Sequence, residues 1–268
     1  MREERMQSFK LFALFIQVHL SFLITQASAG EETTKPPASE IAVYGGLSWL
    51  AKHQSEGGVW KGSRFIERCS PDKCNGQAET GDENLALTGI AILAFQGRGI
   101  TYKRGPGAYK KCAKETIKFL NDRQKQAGRY PEGSERLLYT HAICTLAVCE
   151  AFGLSGKSKL IEPMARGAVS HLLASQNADG GWGLEGKSNV VWTAWASIAL
   201  KAGMICEIEV PEKDIVKALD WLTFVTDAGT GKAGYTSKND QIPLPKGSRK
   251  NNFGRLVAIT PLTRYWAE

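Results

Sequence analysis

The chain has 268 residues, 43% of them hydrophobic and 23% charged. That is the balance of a soluble globular protein with a sizeable core, not of a disordered or membrane-spanning chain. The formal net charge of +7 is scattered, apart from Lys246, Arg249, Lys250 and Arg255. Those four lack the run of aromatic side chains that a stacking platform requires, so nucleic acid is not expected as a partner.

In chain order, residues 1–29 stand apart. Arg2, Arg5 and Lys10 precede an apolar run over residues 11–25, and Ala27-Ser28-Ala29 offers the small-x-small pattern of a signal peptidase site. The segment predicts a secretory signal, with an uncleaved anchor as the alternative and as the one expected route to membrane contact. No cysteine precedes Cys69, which excludes a lipid-bearing lipobox. Residues 30–40, "GEETTKPPASE", are polar and proline-containing and predict a linker. Export places the mature chain outside the cell or in the periplasm.

Residues 41–268 carry an internal repeat. Gln54, Gly58 and Trp60 follow Trp49-Leu50. Gln124, Gly128 and Tyr130 follow Phe119-Leu120, and Gln176, Gly180 and Trp182 follow His171-Leu172 at the same offset. A degenerate fourth copy runs from Trp221-Leu222 through Thr226 to Gly234-Tyr235. Each turn leads into a second series: "TGIAILAF" from Thr88, "HAICTLAV" from His141, "TAWASIAL" from Thr193 and a weaker "VAITPLTR" from Val257. The step from Gln124 to His141 is 17 positions, as is that from Gln176 to Thr193, whereas Gln54 to Thr88 is 34. The first repeat therefore carries an insertion, which holds Cys69 and Cys74.

The segments before the turns show amphipathic helical spacing, and those after them are apolar nearly all round. This predicts polar outer helices around apolar inner ones, with Gly97 or Gly99, Gly153 and Gly203 stopping the inner helices. In each turn, glycine permits a sharp reversal. The glutamine amide is then free to satisfy unpaired backbone groups, and the aromatic ring to be buried between hairpins. The motif reads as a structural clasp.

Gln-x3-Gly-x-Trp at the end of an outer helix resembles the repeat of squalene–hopene and oxidosqualene cyclases. The series "LALTGIAILAFQGRG", "YTHAICTLAVCEAFGLSG" and "VVWTAWASIALKAG" is similar to that of secreted prenyltransferase and squalene-oxidase repeat proteins. The resemblance implies an all-α fold, an α/α toroid of about four helical hairpins. The repeat period and chain length then predict an incomplete ring, either as a partial member of the family or with its open edge covered by a partner.

It does not carry over the chemistry. Such cyclases use an Asp-x-Asp-Asp proton donor, and that sequence is absent. The nearest acids, Glu79, Asp82 and Glu83 in "ETGDEN", stand either as cavity carboxyls suited to proton donation or as helix N-terminal acids. A prenyltransferase zinc site would need Asp, Cys and His. Asp72, Cys74 and His141 offer the types, but nothing in the sequence brings them together. No metal and no cofactor are expected. His141 reads as a catalytic candidate or as a turn residue bonded to a neighbouring repeat, and His53 and His171 as structural residues.

In an exported chain Cys69 and Cys74 are candidates for a local disulfide. Cys112, Cys144, Cys149 and Cys206 fall in helical patterns as small apolar residues without an assigned pairing. "CNGQ", Cys74 to Gln77, has thioester spacing without the surrounding sequence, and "GLSGKS" at Gly153 follows a helix where a P-loop would follow a strand. The reading favours an exported, non-enzymatic binding module for an apolar small molecule or an envelope protein. The alternative is an isoprenoid cyclase or prenyltransferase-like enzyme with an unusual acid site.

Overall fold

The computed structural model describes residues 37–63, 65–69, 74, 84–124, 128–130, 137–238 and 240. The expected signal, most of the linker, the acids Glu79, Asp82 and Glu83, and the terminal "VAITPLTR" series lie outside them. The described residues from Tyr44 onward belong to one compact unit, which holds the repeats.

The described residues form an all-α fold with seven α-helices: α1 (Ala38–His53), α2 (Asn84–Gly97), α3 (Gly107–Arg123), α4 (Leu137–Leu154), α5 (Glu162–Ala174), α6 (Val190–Ile205) and α7 (Glu212–Val225). A short 3-10 helix, Phe65–Arg68, lies in the first-repeat insertion. The one sheet among these residues is a two-stranded hairpin, β1 (Gly183–Leu184) with β2 (Lys187–Ser188), paired antiparallel. Its turn holds Glu185 and Gly186 at φ of 51° and 76°, the two left-handed positions of a tight hairpin turn.

The expected alternation of helices is present. The inner helices α2, α4 and α6 pack side by side with α4 in the middle. Outside them, α3 packs on α2 and α4, α5 on α4 and α6, and α7 on α6. Composition explains the two layers. In α4 every residue from Thr140 to Cys149 is buried, as an apolar run without a polar face demands. In α3 burial is confined to Cys112, Ala113, Thr116, Ile117 and Leu120, an i, i+4, i+8 stripe that leaves its lysines in water. The largest core cluster joins Leu146, Val148 and Phe152 of α4 to Met164, Val169 and Leu172 of α5 and to Leu200 of α6. Neighbouring clusters gather Leu47, Trp60, Ile92 and Phe95 on one side and Val190, Trp221, Leu222 and Val225 on the other.

The three inner helices among the described residues end alike. Gly99, Gly156 and Glu207 are left-handed, at φ of 72°, 71° and 62°. The next residue's N–H turns back to the carbonyl five positions earlier: Ile100 to Phe95 (3.0 Å), Lys157 to Phe152 (2.9 Å) and Ile208 to Gly203 (2.9 Å). This is the Schellman arrangement. Gly99 is therefore one of the expected stops, but Gly153 and Gly203 are not. They lie inside their helices, where room is short. A Cβ at Gly153 would stand 2.8 Å from Cys206 Sγ, and one at Gly203 would stand 3.0 Å from Val169.

Glu207 occupies a conformation that favours glycine, and its exposed ion pair with Lys157 adds little in compensation. Glu207→Gly is expected to raise stability by about 0.5–1 kcal/mol, read as a higher midpoint in urea unfolding.

Candidate functional site

The Gln-x3-Gly-x-aromatic turns are one construction built three times. At its centre is the glutamine amide, which reaches out of its own hairpin. Gln124 Nε2 donates to Gly128 O (3.1 Å) and to Met164 O (2.9 Å) on α5. Gln176 Nε2 donates to Gly180 O (2.8 Å) and to Asp214 O (2.8 Å) on α7. Gln54 Nε2 donates to Cys112 O (3.1 Å) and to the Thr116 hydroxyl (2.9 Å) on α3. In this first copy Thr116 Oγ1 lies 2.9 Å from Cys112 O and 3.2 Å from Gly58 O, so the hydroxyl stands between the amide and the turn carbonyl that the amide reaches directly elsewhere.

Glycine in the motif answers to two constraints. Gly58, Gly128 and Gly180 sit at φ of 83°, 77° and 94°. Each also lies against the backbone of the next outer helix, three residues beyond the carbonyl that the glutamine holds. A Cβ would come within 2.3 Å of Glu115 O, 1.9 Å of Gly167 O and 2.4 Å of Lys217 O respectively. Any side chain there would push successive outer helices apart.

The aromatic residue closes the turn over a buried hydrogen bond. Trp60 Nε1 donates to Leu50 O and Trp182 Nε1 to Leu172 O, both at 2.9 Å. Their backbone N–H groups donate to the hydroxyls of Thr88 (3.0 Å) and Thr193 (2.9 Å) on the inner helices. Tyr130 fills the same place in the middle repeat, fully buried, and its hydroxyl has no partner among the described residues.

His141 holds the position that threonine holds in the other two repeats. Its Nδ1 accepts from the Tyr130 N–H (3.3 Å), while Nε2 lies 3.0 Å from Ala168 O, so the ring is neutral with its proton on Nε2. It is 1% exposed and packs edge-on against His171 at 4.7 Å. Among the expected readings of His141, this geometry is that of the residue bonded to a neighbouring repeat.

Sequence reasoning passed over Asp179, in the turn of the third clasp. Its Oδ1 accepts from the Gly181 N–H (3.1 Å) and the Ser188 hydroxyl (2.6 Å), and its Oδ2 from the Trp221 indole (3.0 Å). One carboxylate thus ties the turn to the hairpin strand and to α7. The Asn-Ala-Asp spelling of the loop was the available signal.

A second constellation lies at the end of α1. The pair offered for a disulfide, Cys69 and Cys74, stands as two free thiols. Their sulfurs lie 3.2 and 3.3 Å from Nε2 of a single histidine, His53. His53 is 4% exposed. Its Nδ1 lies 2.7 Å from Trp49 O, and Trp49 stacks on the ring at 3.9 Å and 17°. The Trp49 indole N–H also donates to Cys74 Sγ (3.3 Å). The three ligand atoms of His53, Cys69 and Cys74 all lie within 4.8 Å of one another, the one such group of three or more found among the described residues. The sequence reading placed His53 only as a structural residue and expected no metal. The remaining cysteines, Cys112, Cys144, Cys149 and Cys206, are buried, as their helical pattern suggested.

Burial, the neighbouring His171 and the Arg129 charge hold the His141 imidazolium back, so that its pKa is lowered to about 3 against the opposing bond to Ala168. An unfolded chain takes up this proton near the ordinary pKa of about 6.5. The stability that His141 contributes is therefore complete above about pH 6.5 and is lost as the pH falls towards the folded pKa. Between pH 7 and pH 5 the loss should be about 2 kcal/mol, from roughly 1.4 kcal/mol per pH unit below 6.5. His141→Thr, which copies the other two repeats, should remove that share of the acid sensitivity. Urea unfolding of both proteins at the two pH values measures it.

No protein-family model matches the chain. Among solved structures it is similar to a polysaccharide lyase, at 14% identity and a TM-score of 0.49, covering 88% of this chain and 78% of the other. A likeness at that level carries no argument about activity. Among the described residues, no helix is long and apolar enough to cross a membrane.

Proposed function

We propose that the protein is an exported squalene-cyclase-like repeat protein that acts as a binding module for an apolar ligand, its helical hairpins arranged as part of an α/α toroid. The observation that carries the reading is the apolar surface left on the inner helices. Leu87 and Ile90 of α2 are 38% and 44% exposed, although their helix is almost wholly apolar. Tyr139 of α4 and Trp195 of α6, both half-buried, meet edge to face at 6.1 Å, and Ile198 follows Trp195 on the same face of α6. We read these partly exposed apolar side chains on core helices as the surface that the ligand covers.

Three further observations support the reading. The clasp motif recurs with its geometry intact, the first 29 residues have the composition of a secretory signal, and the sequence holds no Asp-x-Asp-Asp donor.

The full chain incubated with squalene and with farnesol, and analysed by native mass spectrometry, should retain the hydrocarbon unchanged. Trp195→Ala should weaken retention by about tenfold, the usual effect of removing a buried aromatic contact. Conversion to a cyclised product would favour the enzymatic alternative. Equal, negligible retention by parent and variant would remove the apolar-ligand reading and leave an envelope protein as the partner to seek.

A further inference from the structure

We infer that His53, Cys69 and Cys74 form a zinc site in which one nitrogen and two sulfurs hold the ion and a fourth position is open to a solvent or ligand atom. Donor type comes first. An imidazole with two thiolates is a soft, nitrogen-and-sulfur set, suited to zinc and poorly suited to calcium or magnesium.

Spacing comes second. Zinc–sulfur bonds of about 2.3 Å and zinc–nitrogen bonds of about 2.0–2.1 Å, set at tetrahedral angles, put the nitrogen and each sulfur about 3.6 Å apart. Here both sulfurs lie 3.2–3.3 Å from the same Nε2. Taking up zinc requires each sulfur to move away from the ring nitrogen by only about 0.3–0.4 Å.

Orientation comes third, and it separates this cluster from a chance meeting of polar groups. A metal-binding histidine commonly donates its other ring N–H to a backbone carbonyl, which fixes the tautomer and aims the lone pair. His53 does this through Nδ1 to Trp49 O at 2.7 Å. Trp49 then covers the ring face and supplies an N–H to Cys74 Sγ. Indole N–H donation to a sulfur stabilises a thiolate more than a thiol. The main alternative for two cysteines this close is a disulfide between them, and a bound zinc would protect both sulfurs from that oxidation. Binding displaces the two thiol protons to solvent, leaving neutral imidazole and two thiolates on the ion.

The test uses the full chain, reduced and stripped of metal, then given one equivalent of zinc. The expected result is one zinc per chain retained through gel filtration. With cobalt(II) as the probe, a thiolate-to-cobalt charge-transfer band and a tetrahedral ligand-field spectrum should appear. Cys112, Cys144, Cys149 and Cys206 are buried, so alkylation of the folded chain reads Cys69 and Cys74. Zinc should protect both, and chelator should expose them. Cys69→Ser, Cys74→Ser and His53→Gln should each lower zinc affinity by at least the roughly 10–100-fold that loss of an outer-sphere partner costs. The cobalt spectrum of the parent keeps the test valid if a variant misfolds. The assignment is overturned if the reduced parent binds no zinc and gives no cobalt–thiolate band. It also fails if zinc is retained equally by the two serine variants, or if a Cys69–Cys74 disulfide forms in air at the same rate with zinc present.

Discussion

The architecture depends on a single primary amide. In Gln124 and Gln176 the two N–H bonds of the side chain point to two carbonyls, one in the residue's own turn and one on the next outer helix. A buried turn carbonyl is costly to leave unpaired. The carbonyls of Met164 and Asp214, in the first turns of α5 and α7 where the helical bond takes one lone pair, have a second to offer. The amide satisfies two at once and, in doing so, sets where the following hairpin must lie. A lysine would bring a charge into a half-buried site, and a serine could not span the gap. Glutamine has the reach and the paired donors.

The close approach at glycine follows from that constraint. Once the amide fixes one carbonyl of the next outer helix, the turn glycine is pressed against the backbone one helical turn further along. In the middle repeat the tightest case is met by glycine on both sides, Gly128 against Gly167. The aromatic residue then seals the turn, and Thr88, His141 or Thr193 receives its backbone N–H from the inner helix. Outer helix, turn, inner helix and next outer helix are thus joined by hydrogen bonds that recur at matching positions. The burial that follows is generic by comparison, since the apolar faces of the helices could pack in more than one register without the clasp.

Much of this was legible in the residues, because periodicity and spacing carry local geometry well. Three copies of one offset gave the outer helix, the turn and the inner helix, and the glycine and glutamine roles followed from their chemistry. The helix stops were less legible. Gly153 and Gly203 look like terminators, yet they are packing residues, and one true stop is Glu207, whose left-handed backbone has no compositional mark. His53 shows the other limit. Its neighbours in sequence place it on an outer helix beside a clasp, which is correct, but Cys69 and Cys74 reach it from an insertion whose path no repeat period describes. A cluster assembled by a loop that breaks the pattern is invisible to reasoning built on the pattern. The acids Glu79, Asp82 and Glu83 belong to the same insertion.

The most direct measurement compares the equilibrium unfolding of the parent, Gln176→Ala and Gln176→Glu at neutral pH. Alanine removes the donors from Gly180 O and Asp214 O and should cost about 2–4 kcal/mol. Glutamate keeps the length but sets a carboxylate against the same two carbonyls, so it should cost more than alanine, and acid should recover part of the difference. If both variants unfold within about 0.5 kcal/mol of the parent, as ordinary surface substitutions do, the amide does not hold the hairpins together and the account of the fold is wrong.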